Sequence, residues 1–204
     1  MKPQNYYQQM LKTFKEVSLL EKKPSLLLHS CCAPCNCYVM AILIKYFEIT
    51  LYFNNSNIYE KEEYEKRLEE LERYLSFFNK ENQSNIKMII EPYEPLIFDT
   101  YLNPLKEEKE GAKRCYVCYY KRLEQNRNYA LKNNFAYFTT VMSISRRKNN
   151  TYLNEIGTIL ETKELNFLLA DFKKDGGQEK GIEISKQFKM YRQTFCGCKY
   201  SKKY

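Results

Sequence analysis

The chain has 204 residues, 44% of them hydrophobic, with 8 cysteines and a net charge of +8. That length suits one α/β unit with a buried core, and that apolar share excludes a disordered body. No apolar run approaches the ~20 residues of a membrane span. The first residues, MKPQNYYQQMLKTFKEV, lack the unbroken apolar stretch of a signal peptide. The expectation is a cytoplasmic protein, whose thiols stay reduced and whose clustered cysteines serve metal or redox chemistry rather than a disulfide scaffold. The charge is one-sided: residues 1–100 hold 12 Lys/Arg against 14 Asp/Glu, and residues 101–204 hold 21 against 11. A basic half suits a polyanion, most simply nucleic acid, although a solvated lysine-rich surface has the same composition.

In chain order, residues 5–22 have the spacing of an amphipathic helix. SLLLHS (25–30) reads as a buried strand between Pro24 and the cysteine turn, and YVMAILIKYF (38–47) as a helix. EITLYFNN (48–55) is a strand closing in an asparagine-rich turn. YEKEEYEKRLEELERYLSFF (59–78) is a helix with alternating charge and a Leu/Tyr stripe. NIKMIIEPY (85–93) is a third strand. Residues 94–114 read as a short helix and a charged connector. CYVCYYKRLEQNRNYALKNN (115–134) is a helix opening on a cysteine pair, and FAYFTTVM (135–142) is a fourth strand. A helix at 149–162, a fifth strand at 165–172 and a helix at 182–191 follow, before Cys196-Gly197-Cys198.

Strands alternating with helices predict an α/β fold: a parallel sheet of about five strands with flanking helices and right-handed crossovers. One domain is expected over 1–204. Residues 1–22 would pack on it as a helix, and residues 175–204 would close the site with a helix and the CGC segment. In such sheets sites form at the carboxyl ends of strands. Cys31, Cys32, Cys35 and Cys37 follow strand one, and Asn54, Asn55 and Asn57 follow strand two. Cys115 and Cys118 open a helix, Ser143 and Ser145 follow strand four, and Asp171 ends strand five. Three separated cysteine groups can thus converge on one crevice.

Cys115 and Cys118, three apart, share one helical face. Their place at a helix N-terminus favours the thiolate that metals need. Vicinal Cys31 and Cys32 need a turn, which Pro34 supports. Thiolates select zinc or iron–sulfur, and the vicinal pair departs from the paired C-x₂₋₄-C spacing of structural zinc, which favours iron–sulfur. Cys37 fits a small buried hydrophobe where the next helix packs. Cys196 and Cys198 can form a tight, reducible disulfide, bind a second metal or complete the first site. Lone His29 excludes a multi-histidine metal site, and neither phosphate-loop nor dinucleotide glycine motif occurs. Asp171 is the carboxylate candidate by position, with a helix cap as its alternative. SISRRKNNTY (143–152), carrying Arg146, Arg147 and Lys148, suits phosphate contacts. ADFKKDGGQEKG (170–181), carrying Lys173 and Lys174, reads as a basic glycine loop able to act as a lid. CKYSKKY (198–204) reads as a basic, aromatic tail. A solvated surface is the alternative for each.

The stretches LLLHSCCAPC (26–35), NNSNIYEKEEYEKR (54–67), RCYVCYYKRLE (114–124), YFTTVMSISRRKN (137–149), ADFKK (170–174) and YRQTFCGC (191–198) together resemble the QueH-type epoxyqueuosine reductases, in family order and over nearly the whole chain past the first helix. The resemblance implies reduction of epoxyqueuosine to queuosine at the wobble position of tRNA, on a sheet similar to those of the nucleotide-hydrolase-like (HUP/PP-loop) folds. It implies a [4Fe–4S] cluster on Cys31, Cys32, Cys115 and Cys118. Cys196 and Cys198 would be a redox-active disulfide or ligands of an additional mononuclear iron, with Cys35 and Asp171 as candidate further ligands; Asp171, a tyrosine or a cysteine thiol would deliver the proton. CCAPCNC adds Cys37 to the family pattern. The expected partners are a tRNA anticodon stem-loop, docked by Arg146, Arg147, Lys148, Lys173 and Lys174, and an external electron donor. Two other readings are a zinc- or iron–sulfur-stabilised tRNA-binding module and a tRNA thiolation-type enzyme, which would need ATP.

Overall fold

The computed structural model describes residues 5–201. Lys202, Lys203 and Tyr204 of the expected basic tail lie outside the described residues. Five parallel strands form one sheet in the order β3-β2-β1-β4-β5. They are β1 (Ser25–Ser30), β2 (Glu48–Phe53), β3 (Lys87–Ile90), β4 (Tyr137–Thr140) and β5 (Asn166–Phe167). Central β1 pairs with β2, Leu26 beside Ile49 and His29 beside Tyr52, and with β4, Leu26 beside Tyr137 and His29 beside Thr140.

Strand side chains alternate between faces, and Leu26, Leu27 and Leu28 show why this strand is continuously apolar: all three are fully buried. Leu26 and Leu28 enter a core shared with Phe14, Met40, Phe47 and Leu71, whereas Leu27 enters the opposite one with Leu123, Phe138 and Ile156. Helices therefore cover both faces. The first core is lined by α1 (Tyr6–Val17), α2 (Ala33–Leu43) and α3 (Lys61–Glu81), and the second by α5 (Lys113–Lys132) and α6 (Asn150–Leu160). Helix α1 docks through Phe14, stacked on Tyr46 at 4.3 Å between ring centroids. Helix α4 (Pro95–Leu102) and α7 (Gly177–Gln187) complete the set.

The structure departs from the sequence expectations in three places that matter. Helix α2 begins inside the cysteine turn, with Cys32 as its N-cap and Pro34 in its first turn. Proline is at home there, because its missing N–H would be unsatisfied in any case. Helix α7 begins at Gly177, inside the segment expected to be a loop or lid. A Cβ at Gly177 would stand 2.0 Å from the Phe172 carbonyl oxygen and 2.6 Å from Tyr38 Cε1, so Gly177 permits close packing of the helix start. Strand β5 pairs over two residues only, and Asp171 lies four residues beyond it.

Candidate active site

The sheet order reverses at β1 and β4. From β1 the chain turns into α2 on one face, and from β4 it turns through residues 141–149 into α6 on the other. The diverging connections leave a crevice at the strands' carboxyl ends. A cavity of about 110 Å³ opens there, bordered by Cys31, Cys35, Cys196, Arg122, Lys148 and Gln193. A second cavity, of about 200 Å³, shares Cys35, Ser145, Arg147 and Gln193 with it.

The first cysteine group is compact. The sulfurs of Cys31, Cys32 and Cys35 all lie within 4.8 Å of one another, the one such group of three or more metal-ligating side chains among the described residues. Cys31 and Cys32 Sγ are 3.8 Å apart, and Gln193 Nε2 donates to Cys32 Sγ at 3.0 Å. Donation from Cys31 and Cys35, then from Gln193, holds Cys32 well below the ordinary thiol range, while hydrogen bonding to Cys31 and Cys32 pushes Cys35 up. Cys32 is thus the ready thiolate of the group. Cys35, in the first turn of α2, belongs to this trio.

The second group comes from α5 and the C-terminal segment. Cys115 Sγ accepts from the backbone N–H of Gly111 at 3.1 Å, which that residue presents with φ +90°. Burial pushes the Cys118 thiol up to about 11, and the charges of Cys196 and Cys115 add to the shift. Cys196 Sγ accepts from Lys148 Nζ at 3.1 Å. The Cys198 thiol, followed by Lys148 and Arg122, holds Cys196 well below the thiol range, and Cys198 is pushed up in return. None of the eight cysteines is joined in a disulfide.

Beneath both groups runs a buried polar network. Arg122 Nε donates to His29 Nε2 at 3.2 Å and its Nη2 to Asn55 Oδ1 at 2.6 Å. Asn55 Nδ2 donates in turn to the Ser30 carbonyl at 2.8 Å. His29 Nε2 meets both the Arg122 guanidinium, which only donates, and the Asn54 carbonyl at 3.3 Å, which only accepts, and Nδ1 lies 2.9 Å from Thr140 Oγ1. Burial, and then the Arg122 charge, lowers the His29 pKa to about 3, which keeps the ring neutral.

The CGC turn is gripped by α3. Arg67 Nη1 donates to the Cys196 carbonyl at 3.0 Å and Nη2 to the Phe195 carbonyl at 3.4 Å. Tyr59 N–H donates to the Gly197 carbonyl at 3.0 Å.

Other expected residues lie elsewhere. Asp171 pairs with Lys173 at 3.2 Å and borders a separate cavity with Tyr7, Phe14, Tyr38 and Lys174; the structure does not bring it to the cysteines. Lys173 is accordingly engaged rather than presented to a phosphate. Arg146 pairs with Glu179, and Arg147 donates to the Thr194 carbonyl. Lys148 turns inward to Cys196. Cys37 is fully buried, donates to the Pro34 and Gly181 carbonyls at 3.3 and 3.4 Å, and is pushed up to about 11 by burial; it is part of the core. Arg122, His29, Arg67 and Gln193 were not foreseen. Only Arg122 carried a signal: with Cys115 and Cys118 it falls at i, i+3 and i+7 on one helical face.

The family model described as epoxyqueuosine reductase QueH matches residues 26–204. The chain is 38% identical over 182 residues to the epoxyqueuosine reductase QueH of Staphylococcus aureus, covering 88% of this chain and 76% of that protein. It is 35% identical over 197 residues to the protein of the same name from Streptococcus pyogenes, covering 96% and 76%. It is 30% identical over 181 residues to the one from Thermotoga maritima, covering 87% and 90%.

Proposed function

The chain belongs to the epoxyqueuosine reductase QueH family, and on that premise we propose that its cysteine-lined crevice is where epoxyqueuosine in tRNA is reduced to queuosine. The enzyme is an oxidoreductase of tRNA queuosine biosynthesis. In the reaction both epoxide C–O bonds break and a C=C bond forms. Two electrons and two protons carry the oxygen away as water.

The observation that supports this reading best is convergence: Cys31, Cys32 and Cys35 form one compact group, and Cys31 and Cys35 of that group border the same cavity as Cys196. A set of thiolate donors fits a soft or iron–sulfur metal group and does not fit a hard cation. We assign Cys31, Cys32, Cys115 and Cys118 to a [4Fe–4S] cluster. Cys196 and Cys198, with Cys35, serve as a redox-active pair or as ligands of a mononuclear iron. When bound, such a group supplies single electrons and a Lewis-acidic metal. The remaining work belongs to the chain's own residues. Gln193, Gly111 and Lys148 each aim an N–H at a cysteine sulfur and fix its orientation. Burial pulls the Lys148 ammonium down, but Cys196 and Tyr119 outweigh it and keep it protonated. Lys148, rather than Asp171, therefore holds a proton at the crevice. The base enters the cavity flipped from its stack, and the basic C-terminal half docks the anticodon stem-loop, with exposed Arg146 and Lys174 as phosphate contacts. Electrons arrive from an external donor in the cytoplasm.

The test is turnover. Oxygen-free protein reconstituted with iron and sulfide is given epoxyqueuosine-containing tRNA and dithionite, and the nucleosides are weighed by mass spectrometry. Queuosine, lighter by one oxygen, is the expected product. Unchanged epoxyqueuosine with fully loaded protein refutes the assignment. A colourless protein that takes up zinc but no iron supports the RNA-binding module instead.

A further inference from the structure

The crevice buries positive charge that no carboxylate neutralises. Arg122 is 3% exposed, and its two side-chain partners, His29 Nε2 and Asn55 Oδ1, are neutral. Lys148 meets Cys196 Sγ instead of an acid. Neither takes part in any of the ion pairs among the described residues. The crevice is bordered by four basic side chains, Arg67, Arg122, Arg147 and Lys148, against Glu110 as the one carboxylate. Arg67 is matched by Glu63; Arg122 has no such match. A buried cation is tolerated where an opposite charge stands beside it. Arg122 shares the crevice with Cys31, Cys35 and Cys196, and its charge is felt by Cys31, Cys118 and Cys196 alike.

We propose that Arg122 and Lys148 are the fixed counter-charge of the cysteine centre and set the potential at which it accepts an electron. Both act through the thiolate-bound group and are positioning residues. The inference rests on the reading that these thiols hold an iron–sulfur group. When one electron enters, no bond to the protein forms or breaks and the centre becomes more negative by one charge. A cation alongside stabilises that reduced form more than the oxidised one, so its removal lowers the midpoint potential.

The experiment is a dithionite titration of the full chain, reconstituted without oxygen, with iron and sulfide content measured in parallel and the reduced form counted by electron paramagnetic resonance. Arg122→Gln is expected to keep its iron. At fixed solution potential its reduced-to-oxidised ratio should fall at least tenfold, a shift of about 59 mV for a one-electron couple. Arg122→Lys should restore most of that loss. Full iron content with an unchanged potential in Arg122→Gln overturns the proposal and leaves the assigned reaction standing. Should that variant fail to retain iron, Lys148→Gln decides: a shift of the same sign supports the proposal and an unshifted potential overturns it. A wild-type chain that takes up no iron overturns both this inference and the reading beneath it.

Discussion

Gly197 ties the geometry of the crevice to one absent Cβ. Its φ of +98° lies where side chains are rarely accommodated, and an added Cβ would stand 3.0 Å from Arg67 Nη2 and 3.2 Å from Ile58 Cγ1. Gly197→Ala is therefore expected to cost about 1–3 kcal/mol, to lower the melting temperature by several degrees, and to pull Cys196 away from Lys148. A melt and a turnover rate matching the wild type would show that the turn tolerates the strain. His29 makes a second statement at this scale. Its folded pKa of about 3 lies below the ordinary histidine value of 6.5, so the folded state favours the neutral ring. The stability this contributes is complete above pH ~6.5 and is lost progressively as pH falls towards 3. Denaturant titrations of the metal-free chain should show an acid-side slope across that window, and His29→Gln should flatten it.

Helix α3 does more than cover the sheet. Besides the Arg67 contacts, Tyr191 O–H donates to Glu63 Oε2 at 2.7 Å and Arg73 donates to the Phe188 carbonyl at 3.1 Å. The Arg67–Glu63 pair, at 2.6 Å, has side chains only 4% and 11% exposed. Arg67→Met removes the cation facing Glu63 Oε1 and the donor to the Cys196 carbonyl. A loss of about 3–5 kcal/mol is expected, together with faster tryptic cleavage after Lys199; equal stability and equal cleavage would show that the C-terminal segment is held by other contacts. This grip was not legible in the sequence, because α3 and the CGC turn are far apart in the chain and charged residues on a helix ordinarily face water. The helices and the alternation that yields a parallel sheet were legible, since they follow from spacing along the chain. The early start of α7 was not. Gly176-Gly177 reads as a loop by local preference, yet packing against Phe172 and Tyr38 requires a residue without a side chain at Gly177 and overrides that preference. Asp171 lies away from the cysteines for a related reason. Position after a strand indicates the sheet end, but β5 is an edge strand and its exit leads towards α1. The cysteines were legible as groups, and Cys35's place beside Cys31 and Cys32 came only with the start of α2.

Across the whole molecule, charge is divided between a near-neutral N-terminal half and a basic C-terminal half. If the basic half neutralises even a few phosphates, raising salt from ~50 to ~200 mM should weaken tRNA binding more than tenfold. Fluorescence anisotropy with labelled tRNA measures this, and a flat salt profile would remove the basic half from the docking surface. No helix among the described residues is long and apolar enough to cross a membrane.

The thiols that border the crevice arrive from distant parts of the chain, the exit of β1 and the gripped C-terminal turn, while the α5 thiols Cys118 and Cys115 lie near enough to share their electrostatics with Cys196. Cys31, Cys32 and Cys35 are neighbours in sequence, but the others reach the site only after the sheet has assembled and α3 has closed on the tail. On the proposed assignment, insertion of the inorganic group comes late in the protein's maturation, and a polypeptide caught half-folded in air would offer the same sulfurs to random cross-linking. A correctly loaded centre thus certifies that distant segments have met.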